Sequence, residues 1–151
     1  MIPIKEAISS GAWLHCEFTD SKVLFRIKVL SFRKLNLSEF DEPDKIDFKD
    51  EGIVIWIMDL EVINLTKEGI NSFVGPGNLI LTDQDGFEFN CFFDSHLCWN
   101  SQFAKRSKTN RFYAENLLPK IKAIGAIPFQ LPDDDEAVYS ISVKDGSIRE
   151  A

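Results

Sequence analysis

The residues best able to do chemistry in this sequence are its cysteines and histidines. The whole set comprises His15, Cys16, Cys91, His96 and Cys98. A zinc site would have to be assembled by folding, because the chain lacks the CxxC and HxxxH spacings typical of one. A nucleophilic pair of Cys16 or Cys98 with His96 would need a pocket that stabilises the thiolate. Buried free cysteines usually behave as small apolar residues, so we predict a non-enzymatic protein with no metal and no cofactor.

Two acidic motifs carry oxygen ligands of the kind that cations prefer. Residues 83–86 (DQDG) resemble the middle of a calcium loop, but Leu81 and Phe92 stand where an EF-hand needs acids. An Asp-Gly pair between apolar runs is instead a strong hairpin signal. Residues 133–136 (DDDE) are interpreted as a solvated acidic turn.

One basic cluster stands out, in a long polar loop over residues 94–111. The chain has 17 basic and 24 acidic residues and a net charge of −7, which disfavours general nucleic-acid binding. Arginine and aromatic residues are enriched at the centres of protein interfaces, so we predict a partner-binding loop; the alternative is a solvated mobile loop. The predicted partner-binding residues are Trp99, Phe103, Lys105, Arg106, Lys108 and Arg111.

A predominantly extended chain must position these residues. Residues 53–64 are rich in Ile, Val and Trp, and their second half alternates apolar with charged side chains, which predicts a strand. The first half is apolar on both faces, so we expect a loop, a helix or a partner chain to cover it on both sides. Asn64 and Gly69 then predict a chain reversal, since both residues tolerate the left-handed conformation.

Two more strands are predicted before this central segment. Residues 1–10 are interpreted as a leader with one helical turn over residues 4–8. Residues 13–18 and 23–33 alternate apolar with polar side chains on either side of a polar turn, which predicts an antiparallel hairpin.

Further strands are predicted after the central segment. Residues 79–82 form a hairpin with the strand after the DQDG turn. The side chains expected to share one face of that second strand are Phe87, Phe89, Cys91 and Phe93. Residues 126–131 form a strand that Pro128 places at a sheet edge. The last strand spans residues 138–143, and residues 145–146 (DG) end the ordered chain.

Seven or eight short strands, with at most one or two short helical turns, predict an antiparallel β-sandwich of the immunoglobulin-like kind. The 151 residues suffice for one domain, and the 13 Phe residues suit a β core. No apolar run is long enough to span a bilayer. Three cysteines and no visible signal peptide favour a cytoplasmic location, with export as the alternative if a signal has been removed.

The turn chemistry resembles that of bacterial immunoglobulin-like accessory sandwiches over roughly residues 50–145. The matching motifs are the N-x-T reversal at residues 64–66, the DQDG hairpin, and the strand GAIPFQLP at residues 125–132. The resemblance implies a sandwich domain, mostly exported or lipid-anchored in that family, and implies no catalytic residue. We therefore predict a protein-binding or self-associating module. The alternative is a small-molecule-binding sandwich or barrel with a Phe-rich interior.

Overall fold

The apolar alternation of the sequence produces extended backbone over most of the described chain. The structure is a computed structural model that describes residues 1–35, 52–70, 75–91 and 117–151. In chain order the elements are β1 (Ile2–Pro3), α1 (Ile4–Ser10), β2 (Leu14–Phe18), β3 (Leu24–Lys34), β4 (Ile53–Asn64), a 3-10 turn (Pro76–Asn78), β5 (Leu79–Thr82), β6 (Glu88–Asn90), β7 (Lys122–Pro132), β8 (Ser140–Val143) and β9 (Gly146–Glu150).

These strands form two antiparallel sheets, which confirms the predicted β-sandwich. The larger sheet has the order β7-β4-β3-β2-β9, and the smaller has the order β1-β8-β5-β6. The nine strands within the described residues exceed the seven or eight predicted, and β3, β4 and β7 are longer than short strands. Strand β7 ends the larger sheet, as expected from Pro128, which cannot donate to a ladder hydrogen bond. None of the helices described is long and apolar enough to cross a membrane.

The central strand β4 supplies one complete side of the core. It pairs with β3 on one side and with β7 on the other, and its even positions Met58, Leu60 and Val62 are buried in the main apolar cluster. Ile55 and Ile57 lie on the opposite face and are only 0% and 2% exposed. The first half of β4 is therefore covered on both faces, as its two-sided apolar sequence predicted.

A bulge in β3 re-aims the end of that strand. Phe25, Ile27 and Val29 face the core as predicted, and simple alternation would put Ser31 next. The register with β4 shifts between Val29 and Ser31, so that Phe32 lies opposite Met58 on the core side. A bulge inserts one extra residue and turns the following side chains to the other face. This shift places Phe32 in the wall of the pocket described below.

The reversal after β4 uses side-chain hydrogen bonds rather than left-handed backbone. Neither Asn64 nor Gly69 has a positive φ, so that part of the prediction is wrong. The Asn64 Oδ1 accepts from the Thr66 N–H at 2.8 Å, while Nδ2 donates to the carbonyls of Glu68 and Leu117, each at 2.8 Å. An Asn side chain that bonds the backbone two residues on mimics a turn.

The two ends of the chain differ from expectation. Residues 1–10 pack on the sandwich: β1 pairs with β8, and α1 buries Ile4 and Ala7. At the other end, residues 145–146 do not end the ordered chain. Asp145 adopts a positive φ of 54° at the turn into β9, which pairs with β2 in the larger sheet.

The hairpin of β5 and β6 confirms the DQDG turn but corrects one side chain. The turn closes through an N–H donation from Gly86 to the Asp83 carbonyl, and Gly86 has a φ of 89° that suits glycine. Phe87, predicted to face inward, is 67% exposed because it still belongs to the turn, whereas Phe89 packs against the core.

Candidate functional site

A pocket of about 320 Å³ opens at one end of the sandwich, and we call it the aromatic pocket. It lies between helix α1, the ends of β3 and β4, and the segment that leads into β8. Among the described residues, its lining consists of Pro3, Ile4, Lys5, Ile8, Phe32, Trp56, Asp134, Asp135, Ala137, Val138 and Tyr139. Its volume falls at the lower end of the range typical of ligand pockets.

Three aromatic rings contact one another in the pocket wall. The rings of Phe32 and Trp56 stack with centroids 4.8 Å apart, and the Tyr139 ring meets Phe32 edge-on at 6.2 Å. Phe89 of β6, in the smaller sheet, contacts the Tyr139 ring edge-on with centroids 6.0 Å apart. Stacked and edge-to-face pairs are the favoured aromatic geometries, so each ring restricts the movement of the next. The rings of the wall therefore pack against one another.

Strand register brings these rings together. Trp56 is an even position of β4 and lies on the core side, opposite Phe129 of β7. Phe32 reaches the same side through the bulge in β3. Tyr139 directly precedes β8, and its carbonyl accepts from the Ile4 N–H at 3.0 Å, which fixes the start of α1 beside it. Ile4 and Ile8, one helical turn apart, present one face of α1 to the pocket.

The acidic turn, residues 133–136, forms the rim. The Lys34 ammonium lies 2.9 Å from the Asp133 carboxylate and 3.8 Å from that of Asp135. The hydrogen bond to Asp133 is the largest cause of the raised pKa of Lys34. The Asp134 Oδ1 accepts from the Glu136 N–H at 3.0 Å. Together with backbone hydrogen bonds from the N–H groups of Asp133 and Ala137, these contacts hold the turn at the pocket rim.

Carboxylates near the pocket affect the pKa of the Tyr139 hydroxyl. Burial raises the pKa of the Tyr139 hydroxyl, and the Asp83 and Asp134 carboxylates raise it further. The hydroxyl therefore stays protonated at neutral pH. Among the described lining residues, two carboxylates and one ammonium, that of Lys5, supply the formal charges.

The residues predicted to bind a partner do not belong to the described part of the chain. Trp99, Phe103, Lys105, Arg106, Lys108 and Arg111 all lie beyond the described residues, so that site remains a prediction. His96 and Cys98 lie there too. The two acidic motifs behave as turns: the Asp83 Oδ1 accepts the N–H groups of Asp85 and Phe87, each at 2.9 Å. The described ranges contain no cluster of three or more metal-ligating side chains.

The two described cysteines are protonated thiols in apolar surroundings. Cys16 points into the core while His15 points to the outer face, since neighbouring residues of a strand alternate. Burial raises the pKa of Cys16 far above its usual value and that of Cys91 to about 12. The Cys91 thiol lies 2.9 Å from the Gly77 carbonyl oxygen. Neither group is a thiolate at neutral pH, and the thiolate is the form in which a cysteine acts as a nucleophile.

A basic row crosses the outer face of the larger sheet, and the sequence analysis missed it. His15 lies directly opposite Arg26 on one side and Arg149 on the other. Burial, Arg149 and Arg26 lower the pKa of His15, and Glu17 acts weakly in the opposite direction. These residues are far apart in the sequence, and only the pairing of β9 with β2 reveals the row.

The aromatic pocket was also missed, although one signal for part of it exists. In β3 the apolar positions run at 25, 27 and 29 and then switch phase to 32, as a bulge requires. That change of phase indicates that the Phe32 side chain lies on the core side of the sheet. Nothing local in the sequence pairs Phe32 with Trp56 or brings Tyr139 beside them.

Comparisons with known proteins bear on the fold. No protein-family model matches this sequence, and no curated protein matches it. The structure is similar to that of MPT63, a secreted protein from Mycobacterium tuberculosis, with a TM-score of 0.57, 12% identity and coverage of 93% of each chain. An ApaG protein from Pseudomonas aeruginosa gives a TM-score of 0.38 at 13% identity, over 82% of this chain and 97% of that one. At 12% identity, the likeness to MPT63 concerns the sandwich fold alone.

Proposed function

We propose that this chain is a non-enzymatic binding domain, and that its ligand places an apolar or aromatic group in the aromatic pocket. The observation that carries the proposal is the wall of contacting rings, Phe32, Trp56 and Tyr139, around a volume large enough for one side chain or one small molecule. Ligand sites are typically concave and mainly apolar, with a few polar groups that fix orientation. Here those polar groups are the carboxylates of the acidic turn.

The titratable groups of the pocket support a binding role rather than a catalytic one. General acid–base chemistry works best when a group titrates near the operating pH. The Tyr139 pKa is raised from an already high value, so the hydroxyl acts as a hydrogen-bonding group at neutral pH. The described thiols lie away from the pocket lining and are protonated.

A ligand-observed NMR screen with small aromatic and apolar fragments tests this proposal. We expect fragments to bind wild-type protein and to shift amide signals near Trp56 and Tyr139. Trp56→Leu should abolish binding, because it removes the largest ring of the wall. Phe87→Leu is the matched control, since Phe87 is an exposed aromatic residue outside the pocket lining. Equal binding to both variants would refute the pocket as the site.

Self-association is a second candidate, and one observation favours it. Leu118, Ile121 and Ile124 are large apolar residues with 48%, 58% and 48% exposure, at and before the start of edge strand β7. Exposed edges pair readily with other chains. At the start of β4, by contrast, Ile55 and Ile57 are buried within one chain and the residues around them are at least half-buried. Size-exclusion chromatography with light scattering distinguishes the two candidates: a monomer that Ile121→Lys leaves unchanged would dismiss self-association.

A bacterial accessory-domain role belongs to the same proposal. The sandwich fold and the likeness to MPT63, which is secreted, support it and make export a real alternative to the cytoplasmic location predicted from the sequence. Fractionation of cells that express the natural gene product, followed by immunodetection, decides between the two compartments.

A further inference from the structure

We propose that the aromatic pocket binds an organic cation, namely an ammonium group that carries methyl or alkyl substituents, with its charge beside Asp134. This inference rests on the proposed function and specifies the ligand of the same pocket. It depends on three features of the described residues: the rings of the wall, a carboxylate at the rim that has no cationic partner among them, and the charge around Tyr139.

The rings suit a cation with an apolar coat. A positive charge is attracted to the negative face of an aromatic ring, most strongly to Trp, and both Trp56 and Tyr139 line the pocket. A bare ammonium ion is strongly hydrated and gains little by leaving water. Methyl or alkyl substituents weaken that hydration and add apolar surface that the pocket can bury. The aromatic wall therefore favours a substituted ammonium over an unsubstituted one.

The rim provides a carboxylate, that of Asp134, with no cationic partner among the described residues. Lys34 pairs with Asp133 and Asp135, whereas no cationic group among the described residues lies within 4.0 Å of the Asp134 carboxylate. Asp134 also lines the pocket. A cation seated on the rings would therefore meet an Asp134 carboxylate that no cationic group of the described residues neutralises.

The charged groups that act on Tyr139 are negative, which favours a cationic ligand. The charged groups that shift the Tyr139 pKa are the carboxylates of Asp83 and Asp134, and both raise it. An anionic ligand would be repelled by the same carboxylates. A neutral apolar ligand would neither gain nor lose from these charges, and a cationic ligand would be attracted by them.

The chemistry fits two sources, a free small molecule or a methylated lysine of a protein, and one set of titrations separates them. The probes are choline, its neutral carbon isostere 3,3-dimethylbutan-1-ol, and a short peptide with or without trimethyllysine. Amide shifts in NMR spectra at constant ionic strength report binding of each. We expect choline to bind at least roughly twofold to fivefold more tightly than the isostere. Tighter binding of the trimethyllysine peptide than of choline would support the inference with a protein as the source. The reverse order would support it with a small molecule as the source.

Two charge variants test the role of Asp134. Asp134→Asn keeps an oxygen that can accept from the Glu136 N–H but removes the charge, so the Kd for choline should rise roughly twofold to fivefold. Glu136→Gln removes an equal charge from an exposed residue outside the pocket lining and should leave that Kd nearly unchanged. The isostere should bind both variants as it binds wild type.

The outcomes separate this inference from the proposed function. Equal affinities for choline and the isostere would overturn the cation inference and leave the binding pocket standing. Binding of neither probe would overturn the inference as well, and the fragment screen would then decide the proposed function by itself. Equal effects of Asp134→Asn and Glu136→Gln would also overturn it, because general screening of charge would explain both.

Discussion

Replacement of Asn64 by alanine tests how the chain reverses after the central strand. The Asn64 side chain is 0% exposed and makes three hydrogen bonds to backbone groups, all at 2.8 Å. They join the end of β4 to the turn over Thr66 and Glu68 and to the segment at Leu117. Asn64→Ala removes all three bonds, and alanine can replace none of them.

The expected loss follows from these contacts. A neutral hydrogen bond contributes about 1 kcal/mol net, so three bonds amount to about 3 kcal/mol. The Leu117 carbonyl lies at a buried contact and, left without its donor, adds a desolvation cost of about 1 kcal/mol or more. Against a total stability of roughly 5–15 kcal/mol, this is a large fraction. For a chain of this length, the combined loss of about 4 kcal/mol corresponds to a decrease in Tm of roughly 8–16 °C.

Urea unfolding followed by tryptophan fluorescence measures the change. The denaturation midpoint should fall while the slope m stays constant, because the surface exposed on unfolding is nearly the same. Asn90→Ala is the matched control: Asn90 is an exposed residue of β6, and its substitution should change stability by less than about 0.5 kcal/mol. A loss below about 1 kcal/mol for Asn64→Ala would show that water replaces the side chain and would refute the reasoning.

Three further predictions concern other parts of the sandwich. Gly146→Ala should destabilise the fold by about 1–3 kcal/mol in urea unfolding, since the added Cβ would overlap a carbonyl of the neighbouring strand β2, whereas Ser147→Ala should have little effect. NMR titration should give His15 a pKa below 6.5, and Arg149→Ala should raise that pKa. Because the pKa is depressed in the folded state, the His15 contribution to stability is intact above pH 6.5 and is lost as the pH falls below it. Cys16 should react with a thiol reagent only on unfolding, as its thiol is buried and its pKa is raised; rapid modification in native buffer would contradict this.

Local signals explain which elements the sequence predicts well. The bounds of β4 and β5 match the predicted segments residue for residue, because alternation at period two and an Asp-Gly turn are encoded within a few residues. Strand β9 was missed for the opposite reason. It contains one large apolar residue, Ile148, and it is a strand because it pairs with β2, which lies far away in the sequence.

The candidate site depends on long-range placement to a greater degree. The aromatic pocket combines residues from α1, β3, β4 and the segment before β8, and no short window of sequence contains two of its three rings. Sequence reasoning turned instead to the dense basic loop over residues 94–111, which is visible as a local cluster. The partner-binding prediction for that loop and the ligand proposed for the pocket are independent and can each fail alone.

The placement of charge at the pocket follows a physical logic. Four consecutive acids in the turn 133–136 repel one another, and the fold offsets part of this by pairing Lys34 with Asp133 and Asp135. An asparagine at position 134 could accept the same backbone hydrogen bond without adding to this repulsion. The proposed cation site would give the charge a role, because Asp134 lines the pocket beside the aromatic wall. The proposal therefore predicts that stability and cation binding make opposite demands on Asp134, so that Asp134→Asn weakens choline binding without loss of stability.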